Sequence, residues 1–225
     1  MTRPNSQTEG NLDVLLIGQN DLSFHKLGEI EDTLIDVLED GKDVEVVATT
    51  DKDALLPDNI SQYDVVVDYM TDSSMNDDQF TGLSNHVRDG KGYLGIHCAS
   101  MLEATENTRS GRMDELEDLV GGAYLGTEDP QKISIDIENP DHVVTQNIDS
   151  YETMDELYQL RTSDDLDILA TGDAGESRSI PVAWTKEYGD GRVFYHSGGH
   201  DRRAFSSPEF QKFIGRGLSW VSRRI

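Results

Sequence analysis

The stretch "GKGYLGIHCAS" (residues 90–100) puts an imidazole, His97, and the chain's single thiol, Cys98, at the end of a short apolar run. A histidine held at a strand-to-helix turn can act as a general base, or offer a neutral ring nitrogen to a metal. It can equally be a core histidine bonded to a backbone carbonyl, and the local sequence leaves both readings open. A thiolate at Cys98 would need a nearby base and a positive environment. If His97 faces a cleft its neighbour turns elsewhere, so Cys98 reads as a packed thiol. Downstream, "HSGGHD" carries His196, His200 and Asp201 across two glycines, which let backbone approach a ligand closely. Asp201 could fix the tautomer of His200, although adjacent residues seldom bond each other in productive geometry.

Strand ends must hold these groups. Residues 12–18 ("LDVLLIG") read as a first buried strand, and 43–49, 63–70 and 92–96 as the second, third and fourth strands. Residues 26–39 set Leu27, Ile30, Leu34 and Leu38 on one helical face, and "DDQFTGLSNHVRDG" (77–90) reads as a helix closed by Gly90. Strands alternating with helices imply right-handed crossovers and a parallel sheet covered on both faces. In the second half "KISIDIE" (132–138), "LDILAT" (166–171), "IPVAWTKEYG" (180–189) and "GRVFYHSG" (191–198) read as strands. The last two form a hairpin in which Gly189 and Gly191 permit positive φ. A closing helix over 207–225 takes Ser206 or Ser207 as its cap and Pro208 in its first turn, with a basic end complementing its dipole. Ligands of open parallel sheets bind beyond the carboxyl ends of the strands. That rule gathers His25 after the first strand, Asp68 and Tyr69 at the third, His97 at the fourth, and the "HSGGHD" segment.

The net charge is −25, from 44 acidic and 19 basic residues. Such a charge repels nucleic acid backbones and anionic membranes, so neither is an expected partner. The acids are interleaved with periodic apolar residues, and 12 Arg stand against 7 Lys. This pattern suggests a halophile's acidic cytoplasmic protein whose stability rises with KCl. No apolar run approaches the ~20 residues of a membrane span. The polar start "MTRPNSQTEGN" has no apolar core, so a signal peptide is not expected. Residues 1–10 read as a flexible tail and 11–225 as a single domain. One cysteine permits no internal disulfide and no CxxC zinc pattern.

Several segments together resemble the ThuA-like (trehalose utilisation) family of the class I glutamine amidotransferase-like superfamily. They are "GKGYLGIHCAS", "DHVVT", "MDELYQL", "VAWTKEYGDGRVFYHSGGHD" and "FIGRGLSWV", in matching order over roughly residues 12–222. The resemblance implies a flavodoxin-like three-layer α/β sandwich with a mostly parallel central sheet and added late strands. In amidotransferases of that superfamily a nucleophilic cysteine occupies the turn. Aligning Gly95–Ile96 with it puts His97 there, as in ThuA-like proteins, and the late His-x-Glu pair is absent. Glutamine hydrolysis is therefore disfavoured, and the fold does not settle the function.

Carried over position by position, the family pattern marks His25, His97, His142, Glu156, His200 and Asp201. Val143 stands where members often have Pro, and His196 where a small hydroxyl residue is common. The family's association with trehalose and related disaccharides, keto forms included, implies acid/base or metal-assisted chemistry on a sugar. His97, His200 and Glu156 are then the catalytic candidates. His25, His142, Tyr158, Trp184 and Asp201 are the substrate-binding ones. A divalent metal such as zinc fits this reading, with His97, His142 and His200 as candidate ligands. A small-molecule sugar is the expected partner, and a homo-oligomer the expected assembly. The alternatives are a non-catalytic sugar- or metabolite-binding protein, and a Cys98-dependent hydrolase.

Overall fold

Strand β1 (Leu12–Gly18) shows why apolar runs here become central strands. Leu12, Val14 and Leu16 enter one core cluster while Leu15 and Ile17 enter the other, so both faces are covered. The computed structural model of the chain describes residues 10–40, 43–71, 75–100, 112–175 and 179–225. The expected N-terminal tail lies, but for Gly10, outside the described residues. Next come α1 (Leu27–Glu39), β2 (Val44–Thr49), α2 (Pro57–Ile60), β3 (Val65–Tyr69), α3 (Asp77–Arg88) and β4 (Gly92–Ile96). Apart from α2, which the sequence pattern does not mark, these bounds follow the hydrophobic pattern to within two residues. A single 3-10 turn, His97–Ser100, closes β4.

The second half contains α4 (Arg112–Val120), β5 (Gly122–Gly126), β6 (Gln131–Ile137), β7 (Tyr151–Asp155), β8 (Gln159–Thr162) and β9 (Asp167–Asp173). β10 (Ile180–Tyr188), β11 (Gly191–His196), α5 (Arg202–Phe205) and α6 (Pro208–Val221) complete it. Nine strands form one sheet in the order β2-β1-β3-β4-β11-β10-β9-β6-β7, and β5 pairs with β8 separately. Neighbours from β2 through β11 run parallel; β10, β9, β6 and β7 extend the sheet antiparallel. Helices α1 and α6 cover one face, with Leu27, Ile30, Leu34 and Leu38 packed near Phe213, Ile214 and Leu218. Helices α3 and α4 cover the other, through Phe80, Leu83, Leu116 and Leu119. This is a mixed α/β sandwich with a parallel core, consistent with a flavodoxin-like fold. Among the described residues, no helix is long and apolar enough to cross a membrane.

Two local expectations change. In the β10–β11 turn only Gly189 takes positive φ (62°). Gly191 is needed for space instead, because a Cβ there would lie 2.0 Å from the Val87 carbonyl oxygen. Ser207 does cap α6, accepting from Phe210 N, but the helix stops at Val221 with no basic residue in its last turn. Arg223 and Arg224 lie beyond the helix end and bind the carbonyls of Asp190, Asp43 and Gly10, so they tie down loops rather than complement the dipole.

Candidate metal centre

The strand order reverses between β1 and β3, and the segments following β1, β3, β4 and β11 all leave from the carboxyl edge of the parallel strands. They bring His25, Thr71, His97 and His200 together. His25 and His97 both hold φ near +50°, at 49° and 50°. That left-handed conformation costs a non-glycine residue on the order of 1 kcal/mol or more. It also breaks the local path, so each ring swings inward over the sheet edge. Tyr195 donates to the His97 carbonyl at 2.6 Å and pairs with Ser100 Oγ at 2.8 Å, which fastens the turn from below.

Glu156 arrives from the opposite side. It follows β7, four strands away from β11, which in a flat sheet would be roughly 19 Å. The antiparallel strands and the loop after β11 therefore curl back over the parallel edge. Asp155 locks this closure: its carboxylate accepts from Gly199 N at 2.7 Å and His200 N at 3.0 Å. Gly199 has φ 119°, and a Cβ there would sit 2.9 Å from Ile96 Cγ2, so the loop needs glycine at this point.

The resulting donor set is close. His25 Nε2 lies 2.8 Å from His200 Nδ1 and 3.1 Å from His97 Nε2. Glu156 Oε2 lies 3.3 Å from His200 Nδ1 and 3.5 Å from His97 Nε2. All four atoms fall within 4.8 Å of one another. Two donors each about 2.1 Å from one ion stand roughly 3.0 Å apart at a right angle and roughly 3.4 Å apart at the tetrahedral angle. The four contacts, from 2.8 to 3.5 Å, straddle that range. Tyr158 places its hydroxyl 2.8 Å from His97 Nε2, and its ring stacks on His97 with centroids 4.2 Å apart.

Hydrogen bonding determines which nitrogen of His97 is available. Its Nδ1 lies 2.7 Å from the Ser197 carbonyl oxygen, which can only accept, so Nδ1 carries the hydrogen. In the neutral ring the lone pair is then on Nε2, aimed at the other donors. An imidazole oriented by a backbone carbonyl in this way is the usual support of a metal ligand. The cluster of three histidines and one glutamate can thus bind a metal.

Charge is unevenly shared among the donors. Burial, helped by neighbouring His97 and His200, holds His25 down at about 3. Burial opposes ionisation of Glu156, but its hydrogen bond from His200 and the close imidazoles outweigh it and bring the carboxyl to about 2. Burial likewise disfavours charge on His200, yet its bond to Glu156 raises it above the ordinary histidine value. His200 and Glu156 therefore behave as an ion pair beside a neutral His25.

Not every residue marked in the sequence reaches this cluster. His142 lies apart, in the turn after β6, with Nδ1 accepting from Val144 N, Nε2 3.9 Å from Asp167 and its ring beside Trp220. It does not join the donor set. Trp184 is fully buried in the core on the α3–α4 side, donates to the Val120 carbonyl and stacks on Tyr195, so it shapes packing rather than a pocket. Asp201 caps α5 and pairs with Arg203 instead of fixing the His200 ring. His196 turns away, with Nδ1 accepting from Gly198 N and the ring against Phe210 and Phe213. Cys98 is fully buried and burial pushes its thiol well up, the opposite of an activated nucleophile.

Three contributors belong to no chemical motif in the sequence. Asp155 looks like half of a surface acid pair but is 1% exposed. Thr71 meets His25 Nδ1 at 2.9 Å. Tyr69 donates to the Gly199 carbonyl at 2.8 Å, holding the same loop as Asp155. Only a strand-end position, the feature that marked Asp68 and Tyr69, hinted at any of them.

An open α/β sheet with histidines and a carboxylate converging over its carboxyl edge defines a class of cleft protein rather than one activity. The profile of the ThuA family, described as trehalose utilisation, matches residues 14–221, and the chain belongs to that family. No curated protein sequence gives a significant match. Among solved structures, a putative ThuA-like protein of Bacteroides uniformis ATCC 8492 aligns with TM-score 0.79 at 18% identity, covering 98% of this chain and 95% of that one. Its counterpart from Parabacteroides merdae ATCC 43184 gives 0.77 at 19% identity, covering 95% and 90%. A protein of Salmonella typhimurium LT2 titled a cytoplasmic protein gives 0.70 at 14%, covering 93% and 99%. At these identities the similarity is one of fold.

Proposed function

We propose that the chain is an enzyme of carbohydrate utilisation that works on a sugar or keto-sugar with a divalent metal, such as zinc, held by His25, His97, His200 and Glu156. The observation that carries this reading is the donor set itself: three imidazole nitrogens and a carboxylate oxygen within 4.8 Å. A bound divalent ion would polarise a sugar carbonyl or hydroxyl as a Lewis acid. The protein's own groups supply the rest. His97 has no exposed surface, so of its two sequence-derived roles, base or ligand, the second suits it. Glu156 and His200 retain side-chain exposures of 12% and 19% and are the members a substrate meets. With the metal on Glu156 Oε2, the second carboxylate oxygen of Glu156 is the group left to take a proton from, or return it to, a carbon or oxygen next to a carbonyl, which suits isomerisation or elimination.

Ring-shaped surfaces flank the cluster. Phe24, 48% exposed, packs edge-on against His25, and Tyr124 packs against Tyr158. Both offer faces for the apolar side of a pyranose. The acidic composition and the Salmonella relative support a cytoplasmic setting at high salt. The test is metal analysis of the purified protein, with turnover of trehalose, keto-disaccharides and monosaccharides by the wild type and His97→Ala. One equivalent of metal and sugar turnover, both lost in the variant, are expected. A wild type that neither retains zinc nor acts on or binds any of these sugars would overturn the reading.

A further inference from the structure

We propose that Thr71, with Cys98 behind it, sets the tautomer of His25 so that its Nε2 presents a lone pair to the cluster. This rests on the metal reading above for its purpose, but not for its test. A neutral imidazole has one N–H and one lone pair. His25 is 7% exposed and fixed by its left-handed backbone, so its ring cannot simply turn to suit. Its Nδ1 faces Thr71 Oγ1 at 2.9 Å, and its Nε2 faces His97 Nε2 and His200 Nδ1. If the threonine oxygen accepts, the hydrogen sits on Nδ1 and Nε2 can bind a cation. If the threonine hydroxyl donates, the hydrogen moves to Nε2 and points into the donor set.

The direction of that one hydroxyl therefore decides whether His25 is a ligand. Thr71 is 3% exposed, so no bulk water competes for its proton. Its other polar neighbour is the buried Cys98 sulfur. With the hydroxyl proton directed to sulfur, both oxygen lone pairs are left to accept from His25. Thr71 and Cys98 are positioning residues: neither touches a substrate. Together they account for a thiol placed one residue after His97 without making it a nucleophile.

The experiment is long-range 1H–15N NMR of the histidine rings, with His25 assigned by its loss in His25→Gln, alongside zinc titration by chelator competition. Wild type should show His25 with the hydrogen on Nδ1. Thr71→Val, which keeps the shape and removes the acceptor, should shift His25 toward the Nε2–H form and weaken zinc binding about 10–100-fold. Thr71→Ser should restore both. Cys98→Ala should shift the tautomer in the same sense and Cys98→Ser should not, although both remove similar volume, which separates hydrogen bonding from packing. An unchanged His25 spectrum in Thr71→Val, or equal behaviour of the two Cys98 variants, would overturn the proposal. If wild type binds no zinc the metal reading fails, and the His25 spectra still decide this one.

Discussion

His97 and His196 end neighbouring parallel strands, with His196 paired in register to Ile96, one residue before His97. Both are buried, yet they do different work. His97 leaves the strand at φ 50° and turns its ring over the sheet edge into the donor set. His196 stays in β11, and its ring falls on the α6 face against Phe210 and Phe213. One residue of register and one left-handed backbone separate a member of the donor set from a core histidine. Alternation of side chains along a strand assigns the face, and only a break in that alternation redirects a ring into the cleft.

The widest contrast should come from removing each ring. His97→Ala is expected to abolish stoichiometric zinc binding with the fold retained by circular dichroism. His196→Leu should keep zinc affinity and lose about 1–3 kcal/mol in a urea melt, because Gly198 N is left without its acceptor. Loss of zinc binding in a folded His196→Leu would erase the distinction.

Acid sharpens the comparison next. Burial holds His196, like His25, at about 3, against roughly 6.5 in an unfolded chain. Below roughly pH 6.5 the unfolded state takes up protons that these folded rings refuse, so stability falls with pH down to about 3. Each ring contributes a slope of up to about 1.4 kcal/mol per pH unit. His196→Leu should therefore lose stability less steeply than wild type between pH 6 and pH 4. His200 has the opposite sign. Its raised value gives stability that is present below roughly 6.5 and lost as pH rises through the folded value. Zinc requires its bare Nδ1, so binding should release a proton and strengthen with rising pH. Calorimetry in buffers of different ionisation enthalpy measures that release, and His200→Asn should reduce it.

The smallest effect is expected at the rim. Phe24→Ser should raise KM for a verified sugar by about 2–10-fold with kcat little changed. A fall in kcat alone would place Phe24 in the chemistry instead.

The central parallel strands were legible almost to the residue because burial on both faces leaves unbroken apolar runs, as in Leu12–Gly18 and Gly92–Ile96. His97 and His200 were legible from strand-end position and the adjoining glycines. Glu156 was not, except through family resemblance, since an Asp-Glu pair in so acidic a chain resembles solvated surface. What moves it into the site is the backward curl of β9, β6 and β7, a property of the assembled sheet that no local pattern records. Trp184 and His142 were misplaced for a related reason: residue type indicates what a side chain can do, while its face and distance are set by packing. The β5–β8 pair and α4 are short and sit between longer patterns, so their periodicity is weak.

The Asp155 bonds to Gly199 N and His200 N and the His25–His200 contact, which spans 175 residues, have a consequence for how the protein is made. No emerging fragment that stops short of His200 holds the four donors. The parallel strands through β4 can assemble while the remainder is still being translated, but the trap for a cation is completed only when the late loop docks. A chain still short of that loop therefore keeps the donors apart, and any cation the cluster takes up would report on completed folding.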